Sequence, residues 1–308
     1  MVTSSPDSMK SLLIIISVLI VSSLFASSEA CGISTYWGQN SSEGTLVDTC
    51  DSGLYQYVNL AFLSNFGRGG EPVVNLDGHE KWRLSTDIRA CQAYGVKVLL
   101  SLGGPYGTYG LVSIDDAKQV ATYLWENFLA PNATGELGDA PLDGIDFNII
   151  APFSHQYWDE LVKALADFDS TQKKLYLSAS PQCVDYYLEP AIKTGLFDHV
   201  SVQFFNQSSC DFEAGLDKLL ESWNEWSTLL PAGNQLFLGV PASQNASKTG
   251  YIEPARLKSQ VLPAVRAYKN YGGVMVWDRL HDKNYSKTIK PDVCKNKLHR
   301  HQPLISMV

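Results

Sequence analysis

Eight short apolar runs recur along the chain, and that recurrence limits the possible folds more than any other feature. They are Gly32–Trp37, Tyr57–Leu63, Val96–Gly103, Leu142–Ile150, Leu175–Ser180, His199–Phe205, Leu236–Pro241 and Gly273–Trp277. Most are rich in Val, Ile, Leu, Phe or Tyr and are flanked by Gly, Pro, Asn or Asp, which is how strands are bounded. Amphipathic stretches lie between them: Asp115–Phe128, Gln156–Phe168, Leu188–Gly195, Ala214–Leu230 and Pro254–Tyr271. The last carries a proline at its start and is followed by Gly272, the usual punctuation of a helix. Strands alternating with helices eight times predict an α/β fold, a single (β/α)8 TIM barrel. On pattern alone a doubly wound open sheet is the alternative. No Pro/Gly-rich linker and no internal repeat divides residues 31–294, so one domain is expected there.

The first thirty residues read differently. Lys10 precedes an apolar run from Ser11 to Phe25, and small residues follow, ending Ser28-Glu29-Ala30. That is the layout of a secretory signal peptide (residues 1–30) cut after Ala30. The run is too short for a membrane anchor, and no later stretch is apolar enough to span a bilayer. An exported, monomeric domain with no membrane attachment is expected, in the extracellular space. The full chain carries a formal charge of −8, and so acidic a protein is a poor candidate for polyanion binding, which sets nucleic acid aside as a partner. The six cysteines, Cys31, Cys50, Cys91, Cys183, Cys210 and Cys294, contain no Cys-x-x-Cys pair. In an exported chain this spacing favours disulfides over a metal site, and sequence alone does not choose among the pairings. Five Asn-x-Ser/Thr sequons, at Asn40, Asn132, Asn206, Asn245 and Asn284, suit the same route. Residues 295–308 form a tail that is first basic and polar, then apolar.

One run is unusual. Leu142–Ile150 contains Asp143 and Asp146 inside an apolar strand, where an unpartnered carboxylate is costly. With a period of two, Asp146, Asn148 and Ile150 share one face, while Ile145, Phe147 and Ile149 share the other. The polar face should point into the barrel, with its last residue at the carboxyl end of the strand, where barrel sites lie.

At Asp143, Asp146, Asn148 and Ile150 this strand resembles the Asp-x-x-Asp-x-Asp-x-Glu strand of glycoside hydrolase family 18, in particular the plant class III chitinases. The resemblance runs from Gly32 to about Tyr285. It is carried by Tyr36-Trp37-Gly38-Gln39-Asn40, Asn59-Leu60-Ala61-Phe62-Leu63 and Ser101-Leu102-Gly103-Gly104, then by Val202-Gln203-Phe204-Phe205-Asn206 and Met275-Val276-Trp277. It implies the barrel, no cofactor and no metal, and the pairs Cys50–Cys91 and Cys183–Cys210, leaving Cys31 and Cys294 to join each other. The apolar end of the tail is similar to plant vacuolar sorting propeptides.

The resemblance also implies substrate-assisted hydrolysis, in which the terminal Glu protonates the glycosidic oxygen. The preceding Asp and a tyrosine of the sixth strand hold the acetamido group that attacks the sugar. The matching positions here are Ile150, Asn148 and Phe205. Isoleucine has no proton to give, asparagine lacks the charge that would steady a developing cation, and phenylalanine lacks the hydroxyl. The expectation is therefore a chain that is not an enzyme, with no catalytic residue and Asp143 and Asp146 in structural roles. Asp146 is expected to bond to Asn148 and to nearby backbone. Asp278 and Asp185, which follow strand ends, are the candidate carboxylates for a substitute acid. Trp277 is either a sugar platform or barrel packing. Non-catalytic relatives include xylanase inhibitor proteins, chitinase-like lectins and concanavalin B. Asp278-Arg279 after Trp277 reads as it does in the inhibitors and should crowd the cleft with charge. This ranks an inhibitor of a microbial xylanase or related glycoside hydrolase first, as a plant defence protein. A chitin-oligosaccharide lectin and a seed storage protein follow, and an active chitinase comes last. The inhibitors' loop arginine is absent, leaving Lys173 or Lys174 as a point charge in its place.

Overall fold

Alternation within each apolar run puts polar or aromatic side chains inside a ring of strands and branched ones outside it. The computed structural model, which describes residues 31–168 and 174–295, closes that ring. Its strands are β1 (Gly32–Trp37), β2 (Tyr57–Phe66), β3 (Lys97–Gly103), β4 (Gly144–Asn148), β5 (Tyr176–Ala179), β6 (His199–Gln203), β7 (Gln235–Pro241) and β8 (Tyr271–Trp277). Each pairs in parallel with its sequence neighbours, and β1 pairs with both β2 and β8, which excludes the open sheet. Two short strands, Val73–Val74 and Thr108–Tyr109, extend the carboxyl end of β2.

The helices outside the ring are α1 (Leu46–Asp51), α2 (Leu84–Ala93), α3 (Ile114–Leu124), α4 (Trp158–Ala166), α5 (Glu189–Ile192) and α6 (Leu216–Leu229). They continue with α7 (Pro254–Arg256, a π turn Leu257–Val261, then Leu262–Val265) and α8 (Tyr285–Val293). The sequence pattern missed α1, α2 and α8. It also carried α7 too far, because Tyr271 opens β8 rather than closing a helix.

The strand β4 is shorter than its apolar run, for two reasons visible at its ends. Asp143 accepts hydrogen bonds from the Val98 amide (3.0 Å) and from Gln92 Nε2 (3.0 Å), tying the entry of β4 to β3 and α2. Past Asn148, the Tyr109 hydroxyl receives the amides of Ile150 (3.1 Å) and Ala151 (2.9 Å), so the chain leaves the ladder there. Ile145 and Phe147 are fully buried in the main core, with Leu161, Val162 and Leu165 of α4 in the same cluster. Gly144 is required: a Cβ there would lie 1.9 Å from the Tyr176 carbonyl oxygen.

Inside the barrel the amino end is filled by Tyr57, Leu99, Tyr176 and Phe237, with the His199 ring against Tyr57 (4.5 Å) and Phe237 (4.7 Å). Disulfides join Cys31 to Cys294, Cys50 to Cys91 and Cys183 to Cys210. The leader and tail read from sequence, residues 1–30 and all of the tail beyond 295, lie outside the described residues. Among the described residues no helix is long and apolar enough to cross a membrane.

Candidate functional site at the barrel mouth

The register of β3, β4 and β5 sets Ser101, Asp146 and Ser178 side by side. The Asp146 carboxylate is fully buried and surrounded by hydroxyls. Tyr36 (2.8 Å) and Ser101 (2.7 Å) donate to Oδ2, and Ser178 (2.7 Å) and Ser180 (3.2 Å) donate to Oδ1. This corrects the expectation that Asp146 bonds to Asn148 and to backbone: the hydroxyls of four residues on three strands and their edges take it instead. Burial pushes its pKa up, and the hydroxyl hydrogen bonds oppose that shift. Burial likewise raises the Tyr36 phenol well above its ordinary value, and the neighbouring carboxylate adds to the shift.

One step toward the mouth, Asn148 is 1% exposed, and neither Nδ2 nor Oδ1 makes a hydrogen bond. The amide faces the Tyr36 hydroxyl and partly offsets the rise in its pKa by a hydrogen-bonding interaction, although no pair of their atoms reaches hydrogen-bond distance and angle. A buried amide with both its donor and its acceptor unpaired is rare, because it forfeits the hydrogen bonds it had in water. Around it stands an apolar cluster of Tyr36, Ala61, Phe62, Phe205 and Met275, on which Trp277 packs half-buried. The Trp277 ring is stacked with Phe62 (6.3 Å, 22°) and Phe205 (6.5 Å, 24°) and lies 5.2 Å from Tyr36. Trp277 thus packs on the barrel and stays partly exposed at the mouth. Ile150 is half-buried at the strand exit.

The other candidates are placed elsewhere. Asp143 is at the amino end of β4. Asp278 is 2% exposed and accepts from His281 Nδ1 (2.7 Å) and the His281 amide (3.2 Å). Arg279 runs outward, donating to Thr49 Oγ1 (3.2 Å) of α1 and to the Asp282 carbonyl (3.5 Å). These two residues do not crowd the cleft, because each is satisfied by partners to the side of it. Asp185 lies in the loop after β5, its pKa raised by burial and held back by His155. Lys174 stands two residues before β5, at the end opposite the mouth, paired with Asp198 and over the Tyr176 ring (4.7 Å). Lys173 lies outside the described residues. Among the described residues no three His, Cys, Asp or Glu side chains converge as a metal site.

Sequence reasoning missed Tyr36, Ser101, Ser178 and Ser180 as partners of Asp146. The signal was present: each is a polar residue on the inward phase of an otherwise apolar strand.

The sequence model described as "Glycosyl hydrolases family 18" matches residues 33–252. An acidic endochitinase of Cicer arietinum is 50% identical over 293 residues, covering 91% of this chain and 98% of that one. Among solved structures, the ICChI chitinase of Ipomoea carnea superposes with a TM-score of 0.81 at 44% identity, covering 85% of this chain and all of that one. A xylanase and alpha-amylase inhibitor protein of Scadoxus multiflorus gives 0.80 at 38% identity, covering 85% and 99%. These findings correct the expectation that the chain is not an enzyme. A relative half identical over nearly the full length of both chains carries the name acidic endochitinase, an enzyme.

Proposed function

The chain belongs to glycosyl hydrolase family 18, and from that premise we propose that its barrel mouth binds N-acetylated oligosaccharides of the chitin type. The observation that carries the proposal is the Asn148 amide, buried and unpartnered beside an aromatic cluster. A carboxamide complements an acetamido group, giving one N–H to its oxygen and taking one from its nitrogen. The open part of Trp277 supplies an apolar face for a pyranose ring, in the arrangement usual for small-ligand sites. Supporting this reading, relatives of high identity are named for chitin.

The test is a calorimetric titration with N-acetylglucosamine oligosaccharides, with product release followed in the same samples. Trp277→Ala and Asn148→Leu should each weaken binding by about tenfold or more, the loss expected for one buried hydrogen bond or aromatic contact. The deacetylated glucosamine oligosaccharide should bind more weakly than the acetylated one. Equal affinity for the two sugars would overturn the role given to Asn148.

Inhibition of a microbial xylanase is the second reading, and the likeness to the Scadoxus multiflorus protein favours it. Slowed xylan hydrolysis at micromolar protein is its measure. An exported defence protein is the setting we propose for either reading, with a leader at 1–30, a barrel at 31–294 and a tail at 295–308. A mature amino terminus at Cys31, read by sequencing the protein recovered from plant tissue, is the expected sign of export.

A further inference from the structure

The Asn-x-Ser/Thr sequons are spread along the chain, and the fold leaves them in unequal surroundings. A sequon can serve as a modification site only where a bulky, hydrophilic glycan can stand in solvent. Asn40 is half-buried, and its Oδ1 accepts the Ser42 amide (2.9 Å) and the Ser42 hydroxyl (2.6 Å), so both polar members of that sequon are spent on one cap. Asn206 is exposed but fastens the loop after β7, accepting the Lys248 amide (2.7 Å). Asn284 stands at the start of α8, and the rest of its sequon goes inward, with Tyr285 4% and Ser286 0% exposed. At Asn245 the asparagine is exposed, while the Ser247 hydroxyl is engaged by the Thr249 carbonyl (2.8 Å).

Asn132 differs on each count. The chain leaves α3 through a π turn, Trp125–Leu129, and the Ala133 amide then donates to the Ala130 carbonyl (2.9 Å), closing a turn around Pro131 and Asn132. The Gly135 amide donates to the Asn127 carbonyl (3.1 Å), which ties the turn back onto the helical segment. Ala130 and Ala133 are packed inside at 5% and 1% exposure, whereas Asn132 and Thr134 are exposed. The middle residue of this sequon is therefore its anchor, and the two polar members are left to solvent. Among the described residues neither the Asn132 carboxamide nor the Thr134 hydroxyl has a hydrogen-bond partner. This is also the one sequon that ends in threonine. A β-branched side chain is stiff at χ1, so its hydroxyl samples fewer positions than that of serine.

We propose that Asn132 carries an N-linked glycan. In the transfer, Asn132 Nδ2 attacks the anomeric carbon of an oligosaccharide held on a lipid diphosphate. The N–C bond forms as the C–O bond to the diphosphate breaks, the electron pair leaves with the diphosphate, and the amide gives up one proton. A transferase of the secretory route acts on the chain before it folds, so the fold decides whether the product can be carried afterwards. At Asn132 it can, because no native hydrogen bond of the side chain is lost and the exposed side of the turn is open. The amide oxygen and one N–H remain after the transfer, so the linkage adds no buried, unpaired group. Modification at Asn132 presupposes the export proposed above, which an amino terminus at Cys31 reports separately.

The full chain is expressed in plant cells and recovered, and its peptides are mapped by mass spectrometry before and after enzymatic release of N-glycans in heavy-oxygen water. The peptide holding Asn132 should carry hexose and N-acetylhexosamine mass, and release should leave a labelled aspartate at position 132. Asn132→Gln and Thr134→Ala should each lose that mass from the intact protein, whereas Thr134→Ser, which preserves the sequon, should keep it. An unmodified Asn132 in protein that begins at Cys31 would overturn the site and leave export standing, whatever the other sequons carry. Glycan mass unchanged in Thr134→Ala would overturn it equally. Met1 retained together with an unmodified Asn132 would overturn both readings.

Discussion

At the scale of single residues, the centre of the barrel is defined by what sits around Asp146. The carboxylate is satisfied by four hydroxyls, while the adjacent Asn148 amide is satisfied by none.

His199 makes a separate prediction. Burial, with the nearby Lys174 charge, pushes its pKa down to about 3, and neither ring nitrogen has a partner. An unfolded histidine titrates near 6.5, so as pH falls from about 6.5 toward 3 the unfolded chain gains a proton that the folded one refuses. This group therefore contributes stability above that window and loses it on acidification, by up to about 1.4 kcal/mol per pH unit. His199→Leu should narrow the acid-induced fall in urea stability, and an unchanged difference between pH 7 and pH 4 would contradict the assignment.

At the scale of elements, the strands were legible because their alternation is strong, and their ends were not. The run Leu142–Ile150 gave no sign that the Tyr109 hydroxyl, some forty residues earlier in the chain, would draw off the amides after Asn148. That capture is tertiary and leaves no local pattern. The inward phase of β4 was readable, and so was its place at the mouth. The polar residues that partner its carboxylate were each readable as inward-facing, but their convergence on it was not, because three strands distant in sequence bring them together. Arg279 shows the same limit: its position after Trp277 placed it near the cleft, whereas its direction depended on Thr49 in α1. The helices α1, α2 and α8 were missed for a different reason: they run only six, ten and nine residues, and although α2 buries Leu84, Ile88 and Cys91 at helical spacing, so short a stretch marks the period weakly. Gly144 offers a direct test of the β4–β5 contact. Gly144→Ala places a methyl group against the Tyr176 backbone, so a loss of about 3 kcal/mol or more, or failure to fold, is expected on urea unfolding. A stable variant would mean the strands can part without cost.

At the scale of the whole molecule, the three disulfides bind different distances of chain. The bridge between Cys31 and Cys294 spans 263 residues, against 41 and 27 for the others. On the chain-entropy account the longest loop constrains the unfolded state most. Replacing both of these cysteines by serine should therefore lower stability by about 2–5 kcal/mol, more than the same change at Cys183 and Cys210. Paired urea titrations of the two variants decide the order. The same bridge has a topological consequence. Cys31 and Cys294 stand 5.8 Å apart at their Cα atoms, and β1 already pairs with β8. Covalently and by hydrogen bonding, the eight units form a ring with no privileged starting point. A circular permutant, joined from Lys295 to Cys31 by a short linker and opened in the exposed turn at Gly69–Gly70, would preserve every strand pairing while beginning its synthesis in the middle of the old order.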